Sequence, residues 1–162
     1  MPVKILPAYN FTEEILSLFS EYMDMLLEND PSFQEFLTLQ NYDAELKDLT
    51  EKYGLPNGRL YIAFFENEAA GCIALRKIND ESCEIKRFYI RPKFRGQKLG
   101  SLLLEKIMTD AKEIGYENIL LDTLPFLKTA IEMYKRRGFY EIERYNNSPM
   151  DSSIFMKYDI LP

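Results

Sequence analysis

Between Phe11 and Leu27 the apolar residues Phe11, Ile15, Leu18, Phe19, Tyr22, Met25 and Leu26 recur at steps of three and four, which lays them on one face of a helix. Asn29-Asp30-Pro31 ends that helix. A second, more polar helix is predicted from about Asp43 to Tyr53, stopped by the GLPNG run at 54–58. The pattern then changes to short β-rich runs. RLYIAFFEN (59–67) and AAGCIALRKI (69–78) read as an antiparallel hairpin turning near Asn67, and SCEIKRFYI (82–90) as a third strand ending before Pro92. Leu103, Ile107, Ala111 and Ile114 restore the helical step up to Gly115. NILLDT (118–123) reads as a buried strand. PFLKTAIEMYKRRG (125–138) reads as a helix with proline in its first turn and glycine at its end, and FYEIERY (139–145) and SSIFMKYDI (152–160) as two closing strands. With a first strand at Val3 to Leu6, the order is strand, two helices, three strands, helix, strand, helix, two strands. That order predicts an α/β chain whose mixed sheet is flanked by helices.

The 162 residues suit one compact domain and are too few for two ordinary ones. An apolar content of 46% and an aromatic content of 14% place the chain among globular proteins rather than disordered ones. No apolar run reaches the roughly 20 residues that cross a bilayer, and MPVKILPAYN lacks the apolar core of a signal peptide, so no membrane is expected and a cytoplasmic location is. A formal charge of -6 argues against a nucleic-acid partner, which would need a broad positive face. Histidine is absent, which removes imidazole-dependent triads and most zinc sites; no metal is expected. Cys72 and Cys83 have no metal or redox spacing and read as reduced core thiols.

Against the acidic whole, residues 85–98 hold six Lys or Arg and no Asp or Glu. Here a strand ending at Ile90 passes through a loop containing Gly96 to a helix starting near Leu99. In that arrangement, unpaired backbone N–H groups and the helix dipole can face a phosphate. Neither a G-x-G-x-x-G fingerprint nor a P-loop is present, and a solvated basic loop is the competing reading.

RGQKLG (95–100) resembles the [QR]-x-x-G-x-[GA] signature of the GNAT superfamily of acetyl-CoA-dependent N-acetyltransferases, with Arg95 and Gly100 matching and Lys98 in place of the middle glycine. About 30 residues on, AIEMYKRRGF resembles the same family's A-x-x-x-Y-x-x-x-G-F pattern at Ala130, Tyr134, Gly138 and Phe139, with Leu127 where the family often has asparagine. Small-molecule-type bacterial members also share E-x-K-R-x-Y-[VI]-x-P and L-D-T, as found here. The resemblance runs from RLYIAFF to IFMKY. It implies a GNAT fold across a single domain, residues 1–162: a mostly antiparallel central sheet of about seven strands, flanked by about four helices and splayed at the acetyl-CoA site. The implied donor is acetyl-CoA.

The resemblance further implies that Arg95, Gly96, Gln97, Lys98, Leu99, Gly100 and Ser101 cradle the pyrophosphate. Lys98 would fit with a negative φ. The pantetheine arm would pair with the strand edge at Phe88, Tyr89 and Ile90, where a backbone N–H would also bind the thioester oxygen. Tyr134 takes the place of the general acid, and Glu84 the place of a glutamate that some branches use as base. By two-residue alternation Glu84 shares a face with Lys86, Phe88 and Ile90. An ion pair with Arg76 or Lys86 is the equal alternative for Glu84, and Asp122 is a second carboxylate. Arg76 and Arg87 are candidates to hold an acceptor carboxylate, with solvated strand charges the favoured alternative. The implied activity is acetyl transfer to a primary amine of a small molecule (EC 2.3.1.-). Acetylation of a protein N-terminus or lysine, or a noncatalytic CoA-binding module, are the alternatives. A homodimer is compatible with the sequence, which does not specify one.

Overall fold

The computed structural model describes residues 2–161. Seven strands form one open sheet in the order β1-β2-β3-β4-β5-β7-β6: β1 Val3–Pro7, β2 Arg59–Phe65, β3 Glu68–Lys77, β4 Ser82–Ile90, β5 Asn118–Thr123, β6 Tyr140–Ile142 and β7 Ile154–Asp159. Every neighbouring pair is antiparallel except β4 and β5. Six helices flank the sheet where about four were expected: α1 Thr12–Asn29, α2 Phe33–Leu39, α3 Tyr42–Lys47, α4 Leu49–Tyr53, α5 Leu99–Ile114 and α6 Lys128–Arg136.

The excess lies in the N-terminal half. The helix predicted over 43–53 is two short ones, because Asp48 leaves the helical region at φ -148 and caps α4 by accepting from the Thr50 N–H. The seven residues of α2 carry only Phe33, Phe36 and Leu37 inward, too short a run to establish a period. Helix α6 starts three residues later than predicted. Pro125 instead occupies a turn closed by the Leu127 N–H to the Leu124 carbonyl, 3.0 Å.

The two faces of the sheet bury separate cores. Ile73, Leu75, Ile85 and Leu121 pack with Leu103, Leu104 and Ile107 of α5 and with Tyr134 of α6. On the other face Leu60, Ile62, Cys72 and Tyr89 pack with Ile15, Leu18 and Phe19 of α1 and with Tyr53 of α4. Both cysteines are buried and free; burial first, only partly opposed by Arg87, pushes the Cys72 thiol up to about 12.

Two irregularities in β4 shape the middle of the sheet. The strand pairs with β5 only at Ser82, Cys83 and Glu84, beyond which the two part. Between Lys86 and Tyr89 its register against β3 slips, so that Ile73 stands opposite both Arg87 and Phe88, and Arg87 has φ 57. This bulge corrects the expected alternation. Lys86 lies over Phe36 of α2 and Glu84 bonds to Arg76 and Tyr145, while Phe88 and Ile90 turn to the α5 side.

The bulge is clamped. Arg87, 4% exposed, donates to both oxygens of Glu45 on α3 at 2.9 and 2.8 Å and to Gln40 Oε1 at 2.8 Å. It is therefore neither a solvated strand charge nor free for a ligand. Burial alone would raise the Glu45 pKa, but Arg87 and Lys52 outweigh it and hold the carboxyl below its ordinary value. Its stabilising contribution is accordingly full above the unfolded value of 4.5 and is lost as the pH falls through the lower folded value. Glu45→Gln should therefore destabilise the protein by about 3–5 kcal/mol in urea titrations at pH 7. It should also weaken the acid dependence of stability below pH 4.5. A loss under about 1 kcal/mol would show that the clamp contributes little.

Candidate active site

Where β4 and β5 part, a cleft of about 610 Å³ opens between the edge of β4, the start of α5 and the start of α6. Nine of the ten expected cofactor positions line it: Phe88, Tyr89 and Ile90 from the free edge, then Arg95, Gly96, Lys98, Leu99, Gly100 and Ser101. Gln97 does not. Met25, Phe94, Lys128, Thr129 and Met133 line it as well and were not singled out from sequence, because nothing in the linear pattern ties α1 or the first turns of α6 to the loop; Arg136, from the KRRG run at 135–138 that offers a cofactor-phosphate contact or a charge at the helix C-terminus, lines it too.

The loop leaves β4 through a 3-10 turn at Pro92–Phe94 and then takes two unusual steps in close succession. Gly96 has φ 85, and a Cβ there would meet no atom within 4 Å; the backbone conformation demands glycine, and the space beside it is open. Lys98 has φ 64, correcting the expected negative value. The lysine adopts the left-handed conformation that the family's middle glycine would take freely, at a cost of roughly 1–2 kcal/mol. Helix α5 forms its first bond from the Leu102 N–H to the Lys98 carbonyl, leaving the amides of Leu99, Gly100 and Ser101 without intrahelical acceptors. At Gly100 a Cβ would come 3.1 Å from Met133 Cε and 3.4 Å from Phe88 Cζ, so glycine lets α5, α6 and β4 converge.

The basic cluster of 85–98 divides. Arg91 binds Glu21 at 2.7 Å, Lys93 binds Glu68 at 2.8 Å, and Lys86 and Arg87 turn to the opposite face. Arg95 and Lys98 remain on the cleft and are joined there by Lys128 and Arg136.

A second, narrower cavity of about 60 Å³ continues through the gap between the strands. It shares Tyr22, Phe88, Leu127 and Ala130 with the cleft and is bounded on the α1–α2 side by Leu26, Phe33, Phe36 and Gln40. Tyr134 lines it at 5% exposure, with its ring 6.0 Å from Phe88 and 5.5 Å from Phe139. Burial, with smaller contributions from Tyr22 and Asp122, pushes its phenol well above the ordinary value, so it carries its proton at neutral pH.

The two candidate carboxylates separate here. Glu84, 2% exposed, lines neither cavity; it accepts from Arg76 Nε at 2.7 Å and from the Tyr145 hydroxyl. Burial works to raise its pKa, but Lys86, Arg76 and the Tyr145 hydrogen bond together lower it, so Glu84 stays ionised as an ion-paired group. Asp122 lines the narrow cavity and accepts from Asn146 Nδ2. Tyr145 and Asn146 lie in the chain between β6 and β7, and their hydrogen bonds to these carboxylates have no local sequence signal. Among the described residues no cluster of His, Cys, Asp or Glu is arranged to hold a metal, and no helix is long and apolar enough to cross a membrane.

Comparison with known proteins agrees with this geometry. The profile of the Acetyltransferase (GNAT) family matches residues 16–139. An uncharacterized N-acetyltransferase of Dictyostelium discoideum is 32% identical over 97% of this chain and 98% of its own. Another, of Schizosaccharomyces pombe, is 39% identical over 78% of this chain and 81% of its own. The solved PaiA N-acetyltransferase of Thermoplasma acidophilum, in complex with coenzyme A, shares the fold with a TM-score of 0.75 at 19% identity, covering 98% of this chain and 99% of that one. With an open seven-stranded sheet parted between β4 and β5 and a profile match over most of its length, the chain belongs to the GNAT acetyltransferase family and is an acyltransferase.

Proposed function

We propose that the chain, acting as one domain in the cytoplasm, transfers the acetyl group of acetyl-CoA to the primary amine of a small molecule by direct attack on the thioester. The observation that carries this reading is the junction of a wide cleft with a narrow cavity at Phe88, Leu127 and Ala130, with Tyr134 beside it. In this reading the amides of residues 96–101, with Arg95 and Lys98, hold the pyrophosphate, and the unpaired edge at Phe88, Tyr89 and Ile90 takes the pantetheine arm as an added strand. A backbone N–H of that edge faces the thioester oxygen and stabilises its developing charge. The coenzyme A in complex with the Thermoplasma acidophilum protein, which shares this fold, supports coenzyme A as the donor's carrier.

The acceptor enters the narrow cavity as an ammonium, whose ordinary pKa is about 10.4, and loses a proton before or during attack. Asp122, on the cavity wall, takes that proton. Glu84 has no direct access and acts through the charge it places beside Lys86 and Tyr145. The C–N bond forms, the C–S bond breaks, and Tyr134 gives its proton to the departing thiolate. Burial holds the phenol above its ordinary value, so Tyr134 still carries its proton when the thiolate departs. A cavity of about 60 Å³ walled on one side by α1 and α2 favours a small acceptor over a protein chain.

Thiol release from acetyl-CoA with a panel of small primary amines tests the reading. Release with at least one of them is expected, whereas binding of CoA without release would make the chain a noncatalytic module. Tyr134→Phe should lower kcat by roughly 100-fold or more while acetyl-CoA affinity stays within about twofold. Wild-type kcat should not decline below pH 10, because the Tyr134 phenol titrates above that value; unchanged turnover in the variant would remove the tyrosine from the chemistry. Gly96→Val forces a β-branched side chain into φ 85 beside the phosphate site and should weaken CoA binding by about tenfold or more in calorimetric titration. Undiminished binding would place the pyrophosphate elsewhere.

A further inference from the structure

Lys86 is only 9% exposed, yet its ammonium has no partner. Among the described residues it forms no hydrogen bond, and no carboxylate oxygen lies within 4.0 Å of Nζ. Its one directed contact is with the face of Phe36, 5.6 Å from the ring centroid. Among the described residues the only partnerless side-chain N or O fully cut off from solvent is the Tyr53 hydroxyl. Lys86 Nζ therefore keeps an opening, and the space it lines is the narrow cavity.

Every other strong charge on this face is already engaged. Glu84 is held by Arg76, and Glu45 by Arg87 and Lys52; Arg87 is consumed by its fork onto Glu45. That leaves Lys86 as a cation with no carboxylate in contact, feeling Glu84 and Asp122 only at a distance, and Asp122 as a carboxylate met by a neutral amide, both on the wall of one cavity. The rest of that wall is mixed: Leu26, Phe33, Phe36 and Leu124 form an apolar patch, beside the neutral polar groups of Gln40, Thr123 and Ser153 and the already engaged Arg87. A lone ammonium in such surroundings is costly to keep charged, and burial does pull the Lys86 pKa below its ordinary value despite the opposing fields of Glu84 and Asp122. An incoming anion removes that cost.

We infer that Lys86 determines acceptor specificity by seating a carboxylate that the acceptor carries in addition to its amine, which makes the preferred substrate a small amino acid with an apolar side chain. The inference rests on the acetyl-transfer reading above and refines it. The amine then sits toward Asp122 and Tyr134, the apolar part against Phe33, Phe36 and Leu124, and Lys86 takes no part in bond making. Arg76 and Arg87, the cations that sequence offered for a carboxylate, are occupied by Glu84 and Glu45.

The experiment compares leucine, leucinamide and 3-methylbutylamine as acceptors in steady-state thiol release with the wild type, Lys86→Met and Lys86→Arg. Wild-type kcat/KM should favour leucine by about tenfold or more, chiefly through KM. Lys86→Met, which keeps length and apolar packing, should bring the ratio toward one, and Lys86→Arg should keep part of it. A wild type that uses leucinamide or the plain amine as well as leucine, or a folded Lys86→Met that keeps the preference, overturns the inference. A second arm needs neither variant nor turnover: with CoA present, N-acetylleucine should bind the wild type about tenfold more tightly than N-acetylleucinamide. Equal binding overturns the Lys86 assignment. If CoA binds but no acceptor releases thiol, the transfer reading fails, and the binding arm alone decides for or against the carboxylate seat.

Discussion

Backbone amides inside a sheet must find partners, and in this molecule one strand is denied them halfway along its length. β4 has β3 on one side throughout, but on the other side it has β5 only as far as Glu84. Beyond that point Ile85, Lys86 and Arg87 line the narrow cavity and Phe88, Tyr89 and Ile90 the wide cleft, and the loop that follows delivers the free amides at the start of α5 to the cleft. Polar main chain exposed in a concave, partly apolar space is a binding surface before any side chain is considered. The side chains refine it: Gly96 and Gly100 keep the approach clear, and Arg95, Lys98, Lys128 and Arg136 set its charge.

The parting of the strands is held from the opposite face. The bulge at Arg87 turns Phe88 and Ile90 toward α5 while sending Lys86 and Arg87 toward α1, α2 and α3. Glu45 of α3 then locks the guanidinium, and Gln40 at the end of α2 joins it, so the wall of the narrow cavity is tied to the strand that forms the wide one. Breaking a buried pair of this kind leaves an uncompensated charge, and here that charge would sit on the wall of the narrow cavity, one residue from Phe88, where the two cavities meet. Stability of the fold and shape of the site thus depend on the same contact.

Much of the fold could be read in the sequence because its signals are local. Ile15, Leu18, Phe19 and Leu26 in α1, and Leu103, Ile107 and Ala111 in α5, recur with the helical period and are buried as that period requires. The strands from Arg59 to Ile90 and from Asn118 to Thr123 are short runs rich in β-branched, aromatic and aliphatic residues, bounded by turns. What failed was information carried by register or by distant partners. Alternation put Glu84 on one face with Phe88, and a single extra residue in β4 separated them. Lys98 was expected to avoid a positive φ because its side chain disfavours one, but the loop geometry required it. The six cations of 85–98 formed one patch in sequence and three environments in space, since Glu21, Glu45 and Glu68, which bind half of them, lie far away in the chain.

An opening that passes through a sheet has two mouths. The wide one lies between α5 and α6, and the narrow one is walled by α1 and α2, with Phe88 and Ala130 common to both. In the acetyl-transfer reading proposed above, donor and acceptor arrive from opposite sides and do not queue: neither has to leave before the other enters, and each product can depart by the route its precursor used. Such a layout suits a ternary complex with no fixed order of arrival, and it needs no covalent enzyme intermediate to carry the acyl group across. The deeply protonated thiol of Cys72 agrees with that economy.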